Sequence, residues 1–72
     1  MNRIEIVKKY GETYLVFACM QKFGGGFIVT LGELIQKADS NNLQKIKETW
    51  PEYWMQYLNW HIDLIQKENR VL

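Results

Sequence analysis

The residues able to do chemistry are few, because the chain has one cysteine, Cys19, and one histidine, His61. Nucleophilic catalysis needs a nucleophile beside a base, and a metal site needs several converging ligands. Cys19 and His61 are far apart in sequence, so they act together only if the fold joins them. His61 and Asp63 are two positions apart and point in different directions on a helix, so they cannot share a metal. We therefore expect no enzyme activity, no metal and no cofactor.

Both reactive residues have a structural interpretation. Cys19 lies in the apolar run of residues 14–20, where a thiol behaves as a small buried hydrophobe. His61 lies among apolar residues of the last predicted helix, where we expect it to be partly buried with one hydrogen-bond partner. A single cysteine excludes an internal disulfide and is typical of a reducing compartment. No stretch has the length of a membrane span or the pattern of a signal peptide, so we expect a soluble, cytoplasmic protein.

The three glycines Gly24, Gly25 and Gly26 invite comparison with a phosphate-binding loop. No lysine–serine or lysine–threonine pair follows them, and no dinucleotide fingerprint is present. We interpret them as a turn between two helices and predict a positive φ at one or more of the three.

Charge gives little support for a nucleic-acid interface. Nine basic and eight acidic residues give a net charge of +1, and the basic residues are spread over the whole chain. That balance argues against binding driven mainly by phosphate contacts. The alternative hypothesis is a small nucleic-acid-binding protein that acts as a dimer, with phosphate contacts from Lys37, Lys45 and Lys47.

The most informative feature is an aromatic cluster within eleven positions, made of Trp50, Tyr53, Trp54, Tyr57 and Trp60. It makes the last helix apolar over more of its circumference than one face of a small bundle needs. Either this helix is central in the fold, or part of it contacts another molecule. We predict that some of the five rings bind a partner, most simply a second copy in a two-fold homodimer. Tyr53 and Trp60 are the first choices because they lie off the stripe that starts with Trp54 and Leu58.

The elements that position these residues are predicted to be helices in a single domain, residues 1–72. Apolar residues recur every three or four positions in four segments, which predicts an all-α bundle of three to four short helices. The apolar positions are Ile4, Val7, Gly11, Tyr14, Leu15 and Ala18, then Phe27, Leu31, Leu34, Ile35 and Ala38, then Leu43, Ile46 and Trp50, then Trp54, Leu58, His61 and Ile65. The alternative is an α+β fold with a hairpin at residues 13–30, where a continuous apolar run, glycines and a β-prone stretch follow one another.

Helix starts are indicated by local signals. Residues 39–42 offer several side chains that can cap a helix, and Pro51 is typical of a first turn. Thr30 with Glu33, and Thr49 with Glu52, have the spacing of capping boxes.

A longer pattern resembles a group of small uncharacterised proteins of bacteriophages and prophages. In that pattern a glycine pair precedes an aromatic residue, an alanine–aspartate pair ends the helix, and an aromatic–proline–glutamate–aromatic element opens the last helix. The likeness covers roughly residues 14–57, in Gly24-Gly25-Gly26-Phe27, Ala38-Asp39, Asn42, Lys45 and Trp50-Pro51-Glu52-Tyr53-Trp54. The resemblance implies a phage accessory protein in the bacterial cytoplasm, of a kind that often acts by binding a host protein, including components of antiviral defence. We therefore expect a non-catalytic protein-binding module, and the resemblance assigns no residue a role.

Overall fold

Helices form every regular element in a computed structural model that describes all residues from 1 to 72. They are α1 (Arg3–Tyr10), α2 (Glu12–Phe23), α3 (Gly26–Lys37), α4 (Ser40–Thr49) and α5 (Pro51–Glu68). The all-α prediction is confirmed. The hairpin alternative is not supported, because residues 13–30 form most of α2 and the start of α3. The chain has five helices rather than the predicted three to four.

Gly11 accounts for the additional helix. Its backbone has φ 85° and ψ 134°, a conformation that a residue with a β-carbon rarely adopts. Its N–H still donates to the carbonyl of Val7, so α1 closes normally before the chain turns into α2. The apolar spacing predicts one helix face running from Ile4 through Gly11 to Ala18, and the prediction of a single helix there is wrong. The apolar rhythm continues across the break because α1 and α2 both pack against α5.

Gly24 and Gly25 connect α2 to α3, as predicted, but for a different reason. Their φ angles are −75° and −77°, and Gly11 is the only glycine with positive φ, so the predicted positive φ among the three glycines is wrong. Instead, glycine is required at position 24 because a side chain has no room there. A β-carbon there would lie 2.5 Å from both the carbonyl oxygen of Met20 and Cγ2 of Ile28.

Close packing continues along the two helices that this turn joins. The side-chain amide of Gln21 donates to the carbonyl oxygen of Val29 at 2.8 Å. Gly32 is buried in the middle of α3, where a β-carbon would lie 3.2 Å from Cβ of Met20 and 2.6 Å from Nε2 of Gln21. Glycine at this position therefore lets α3 lie directly against α2.

The starts of α4 and α5 follow two of the local signals. The side chain of Asp39 accepts the backbone N–H of Asn42 at 2.8 Å, which caps α4. Trp50 breaks the helix with φ −127° and ψ 59°, and Pro51 is the first residue of α5, as predicted.

Neither predicted capping box forms. Thr30 lies inside α3, which already begins at Gly26, so it cannot cap a helix start. The hydroxyl of Thr49 donates back to the carbonyl oxygen of Lys45 at 2.7 Å, within α4. The spacing of a threonine and a glutamate was therefore a weaker signal of a helix start than the aspartate that caps α4 and the proline that begins α5.

The core is organised around α5, which contributes seven buried residues and packs along α2. α3 packs against α2. α1 and α4 pack against α5. One continuous cluster draws on all five helices: Ile6, Leu15, Val16, Cys19, Met20, Leu31, Ile35, Ile46, Trp54, Tyr57, Leu58, Ile62 and Ile65. The last helix is therefore central, one of the two arrangements that its apolar circumference predicts.

After α5 the chain turns back towards the core. Asn69 has the left-handed conformation, φ 52° and ψ 39°, and its N–H donates to the carbonyl of Ile65. A left-handed residue reverses the direction of the chain at a helix end, and asparagine tolerates that conformation. Asp63 and Lys67, four positions apart on α5, form an ion pair at 3.8 Å.

The glycine turn makes a testable distinction between two neighbouring positions. Gly24→Ala is expected to lower the free energy of unfolding by about 1–3 kcal/mol, because the added carbon overlaps backbone and Ile28. Gly26→Ala, where a β-carbon meets nothing within 4 Å, is expected to raise it by up to about 1 kcal/mol through helix propensity. Urea unfolding followed by circular dichroism measures both. Equal effects of the two substitutions would contradict the role given to space at Gly24.

Candidate protein-binding surface

The five aromatic side chains of residues 50–60 divide between the core and the surface. Trp54 and Tyr57 are buried, with 3% and 6% of their surface exposed. Tyr53 and Trp60 are each 37% exposed, and Trp50 is half-buried. The two residues off the stripe of Trp54 and Leu58 are thus the exposed ones. A contact surface in this region is limited to Trp50, Tyr53 and Trp60, and does not include the rings of Trp54 and Tyr57.

Trp54 is held by polar contacts from two other helices. Its indole N–H donates to Oε1 of Glu12 at 2.6 Å. The ammonium of Lys47 lies 3.3 Å from the same oxygen and 5.0 Å from the centre of the Trp54 ring. These contacts join the first turn of α2, the end of α4 and the start of α5. They explain Trp54 and Lys47 structurally, without a ligand.

Trp60 belongs to a stack within the chain. Its ring lies parallel to that of Phe23, with centroids 4.5 Å apart, and 5.7 Å from the ring of Tyr57. The guanidinium of Arg70 lies over the Phe23 ring, 5.9 Å from its centre. Trp60 therefore has partners on the chain itself, and it lines neither of the depressions to which Trp50 and Tyr53 contribute.

Trp50 and Tyr53 meet a third ring that the sequence analysis did not assign to a site. Phe27, in the first turn of α3, lies 6.2 Å from Trp50 in an edge-on arrangement and 6.0 Å from Tyr53. Phe27 is 59% exposed, although it contacts both rings. Three aromatic side chains, one from the start of α3 and two from the start of α5, thus share one piece of surface.

The same surface continues along α3. Leu34, which is 51% exposed, lines a depression with Trp50 and with Lys45 of α4. We call this surface the aromatic groove. It consists of Phe27, Leu34, Trp50 and Tyr53, with Thr49 beside Trp50 and with Lys45 and Glu52 at its ends.

The three lysines named for nucleic acid do not converge. Lys47 is engaged by Glu12 and Trp54. Lys37 and Lys45 are exposed, and neither forms an ion pair. Lys45 lies at the aromatic groove, and Lys37 follows Leu34 by three positions on α3, on the same side of that helix. Two of the three lysines therefore flank the groove, and the third stabilises the fold.

His61 is a structural residue at the junction of α2 and α5. It is fully buried, with Nδ1 2.8 Å from the carbonyl oxygen of Leu15, and it accepts the backbone N–H of Leu72 at Nε2, 3.1 Å away. An accepting Nε2 places the proton on Nδ1, which donates to Leu15. The hydroxyl of Tyr14 donates to the carbonyl of Leu72 on the same side. His61 thus has two partners rather than the predicted one, and Cys19 is not among them.

Cys19 is fully buried, as its apolar surroundings predict. Burial raises the pKa of its thiol to about 11. The pKa of Tyr57 is also raised, first by burial and then by the nearby Cys19 and Tyr53. A thiol that stays protonated and inaccessible is a poor nucleophile.

Phe27 and Leu34 are the surface residues that sequence reasoning missed. It assigned both to one buried face of the second segment together with Leu31 and Ile35, which are indeed buried. Leu34 points about 100° away from its neighbour Ile35, towards the edge of the face that packs on α2. Adjacent apolar residues are often both buried, as Leu15 and Val16 are in this chain, so the apolar spacing gave no signal that Phe27 and Leu34 are exposed.

Comparison with known proteins gives no relative: no protein-family model matches the chain, and no characterised protein or solved structure shows significant similarity to it. None of the helices combines the length and apolar character needed to cross a membrane. No three histidine, cysteine, aspartate or glutamate side chains converge as metal ligands. Function is therefore inferred from the surface of this chain.

Substitutions can separate the stabilising effect of the hydrogen bond between Glu12 and Trp54 from that of the ion pair between Glu12 and Lys47. Glu12→Ala is expected to lower the free energy of unfolding by about 1–3 kcal/mol, because the buried indole N–H loses its acceptor. Glu12→Gln keeps an acceptor, and Lys47→Met removes a partly exposed ion pair and the contact of the ammonium with the Trp54 ring, so each is expected to cost at most about 1 kcal/mol. Chemical denaturation measures all three. If Glu12→Gln were as damaging as Glu12→Ala, charge rather than the hydrogen bond would be the stabilising factor.

The raised pKa of Cys19 predicts a pH dependence of stability. Because the folded pKa, about 11, lies above the ordinary value of 9.0, the stabilisation from the neutral thiol is complete below pH 9.0. It is lost as the pH rises towards 11, where the unfolded chain releases its proton first. The free energy of unfolding should therefore fall more steeply between these pH values in the wild type than in Cys19→Ala. Parallel curves for the two proteins would contradict this assignment.

Proposed function

We propose that this chain is a non-catalytic protein-binding module that acts by occupying the surface of another protein. The observation that carries the proposal is the aromatic groove, where Phe27, Leu34 and Tyr53 are exposed around the half-buried Trp50. Tryptophan and tyrosine are the residues that most often anchor protein interfaces. Exposed apolar surface of this kind marks a site of interaction in small proteins.

A non-catalytic role is supported by the positions of the two reactive residues. Both ring nitrogens of His61 are engaged by backbone groups, and Cys19 is enclosed by the core with a raised pKa. Neither side chain is available to a substrate at the surface. A substrate would therefore have to be handled by residues other than the two best suited to catalysis.

We further propose that the partner is a bacterial protein met in the cytoplasm of a phage host, possible targets including components of antiviral defence. This part rests on the resemblance to phage accessory proteins over residues 14–57. The matching pattern contains Phe27, Trp50 and Tyr53, which are three of the four apolar side chains of the aromatic groove. The residues that form the proposed surface thus belong largely to the pattern that carries the resemblance.

Capture from a bacterial lysate tests the proposal. A tag placed before Met1 leaves the groove free, and Leu34→Glu introduces a charge into its centre. We expect the wild type to retain a protein that Leu34→Glu retains at least about tenfold less, since one buried charge at an interface costs more than 1.4 kcal/mol. Ile4→Glu and Met55→Glu are matched controls, because both replace exposed apolar residues outside the groove. Both controls should retain as much protein as the wild type.

The alternative function has a distinct outcome in the same experiment. Recovery of nucleic acid alone, lost steeply with added salt and abolished by Lys37→Ala with Lys45→Ala, would overturn protein binding in favour of a nucleic-acid-binding protein. Protein capture that is the same for Leu34→Glu and the controls would overturn the role of the aromatic groove.

A further inference from the structure

The charges at the two ends of the aromatic groove are opposite. Lys45 lies beside Leu34 and Ala38 at one end, where Lys37 also flanks the groove. Glu52 is the only charged residue beside Phe27 and Tyr53 at the other end. Both side chains are exposed, and neither forms an ion pair within the chain. The surface is therefore positive at one end, negative at the other and apolar between them.

Such a surface is complementary to the same surface of a second copy that has been rotated by 180°. Thr49 and Trp50 line both ends and so mark the middle of the groove. A two-fold axis through this middle would place Lys45 of one copy against Glu52 of the second. The same rotation would place Phe27 against Leu34 of the second copy. This exchange of unlike residues across an axis is what a closed, isologous dimer requires.

We propose that the occupant of the aromatic groove is a second copy of this chain, related by a two-fold axis near Trp50. The inference rests on the proposed function's assignment of the groove as a protein-binding surface, and it names a second copy, in place of a host protein, as what that surface binds. A nucleic acid or a peptide with charges of one sign would leave Lys45 or Glu52 facing a like charge. A second copy neutralises both at once and covers the exposed parts of Phe27 and Leu34. A short chain also gains from buried area that its own core cannot supply.

Charge reversal gives a test that only self-association satisfies. Lys45→Glu and Glu52→Lys, each alone, create two like-charged pairs per dimer and are expected to weaken dimerisation at least about tenfold. The variant with both substitutions exchanges the two ends and is expected to return to within about threefold of the wild type. An equimolar mixture of the two single variants should also associate, because each opposite pair is restored across the axis.

Sedimentation equilibrium over a micromolar to high micromolar range measures these constants. Leu34→Glu should be monomeric, and Ile4→Glu should dimerise like the wild type. Glu52→Lys also removes an acidic residue from the first turn of α5, so circular dichroism of each variant is recorded alongside. A loss of folding would not be rescued by mixing two variants, whereas a loss of charge pairing would.

The outcomes separate this inference from the proposed function. A wild-type monomer at high micromolar concentration, or a dimer unaffected by the reversals, overturns the second copy as occupant. If such a monomer still captures a bacterial protein through Leu34, the proposed function stands alone. If the dimer forms with the predicted charge dependence and no other protein is captured, the inference stands and binding to a host protein fails.

Discussion

The packing of α5 along α2 is the interaction on which the rest of the structure depends. It is fixed at two points by hydrogen bonds between the helices, from Trp54 to Glu12 and from His61 to the backbone of Leu15. Between these points the helices share the apolar core. Because α3 is joined to α2 by two residues and lies directly against it at Gly32, the position of α2 also determines where α3 can lie. The aromatic groove between α3 and the start of α5 is thus a consequence of how both helices pack on α2.

Several features were predictable because they depend on neighbouring residues alone. The start of α5 at Pro51 and the cap of α4 at Asp39 follow from backbone chemistry within one turn. The ion pair of Asp63 and Lys67 follows from helix geometry. The burial of Cys19 follows from an apolar run too long to be exposed. In each of these cases, the residues that give the signal lie within a few positions of the structural feature that they predict.

The features that were not predictable depend on contacts between distant segments. Gly24 needs space beside Met20, which is a matter of packing rather than of φ. The break at Gly11 leaves the apolar rhythm intact because both flanking helices face the same neighbour. Phe27 and Leu34 are exposed because α3 packs on α2 alone over most of its length. Periodicity reports which residues are apolar, but it does not report how many neighbours a helix has.

The reversal at Asn69 has a mechanical consequence. It returns the chain so that Leu72 is bonded at once to Tyr14 on α2 and to His61 on α5. Force applied at Leu72 is therefore transmitted straight to the interface between the two central helices, bypassing the last turns of α5. Asn2, by contrast, bonds only to Glu5 and to the backbone N–H of Ile6, at the start of α1. A fluorophore or tether next to Leu72 would perturb the centre of the molecule, whereas one before Met1 would pull only on the exposed first turn of α1.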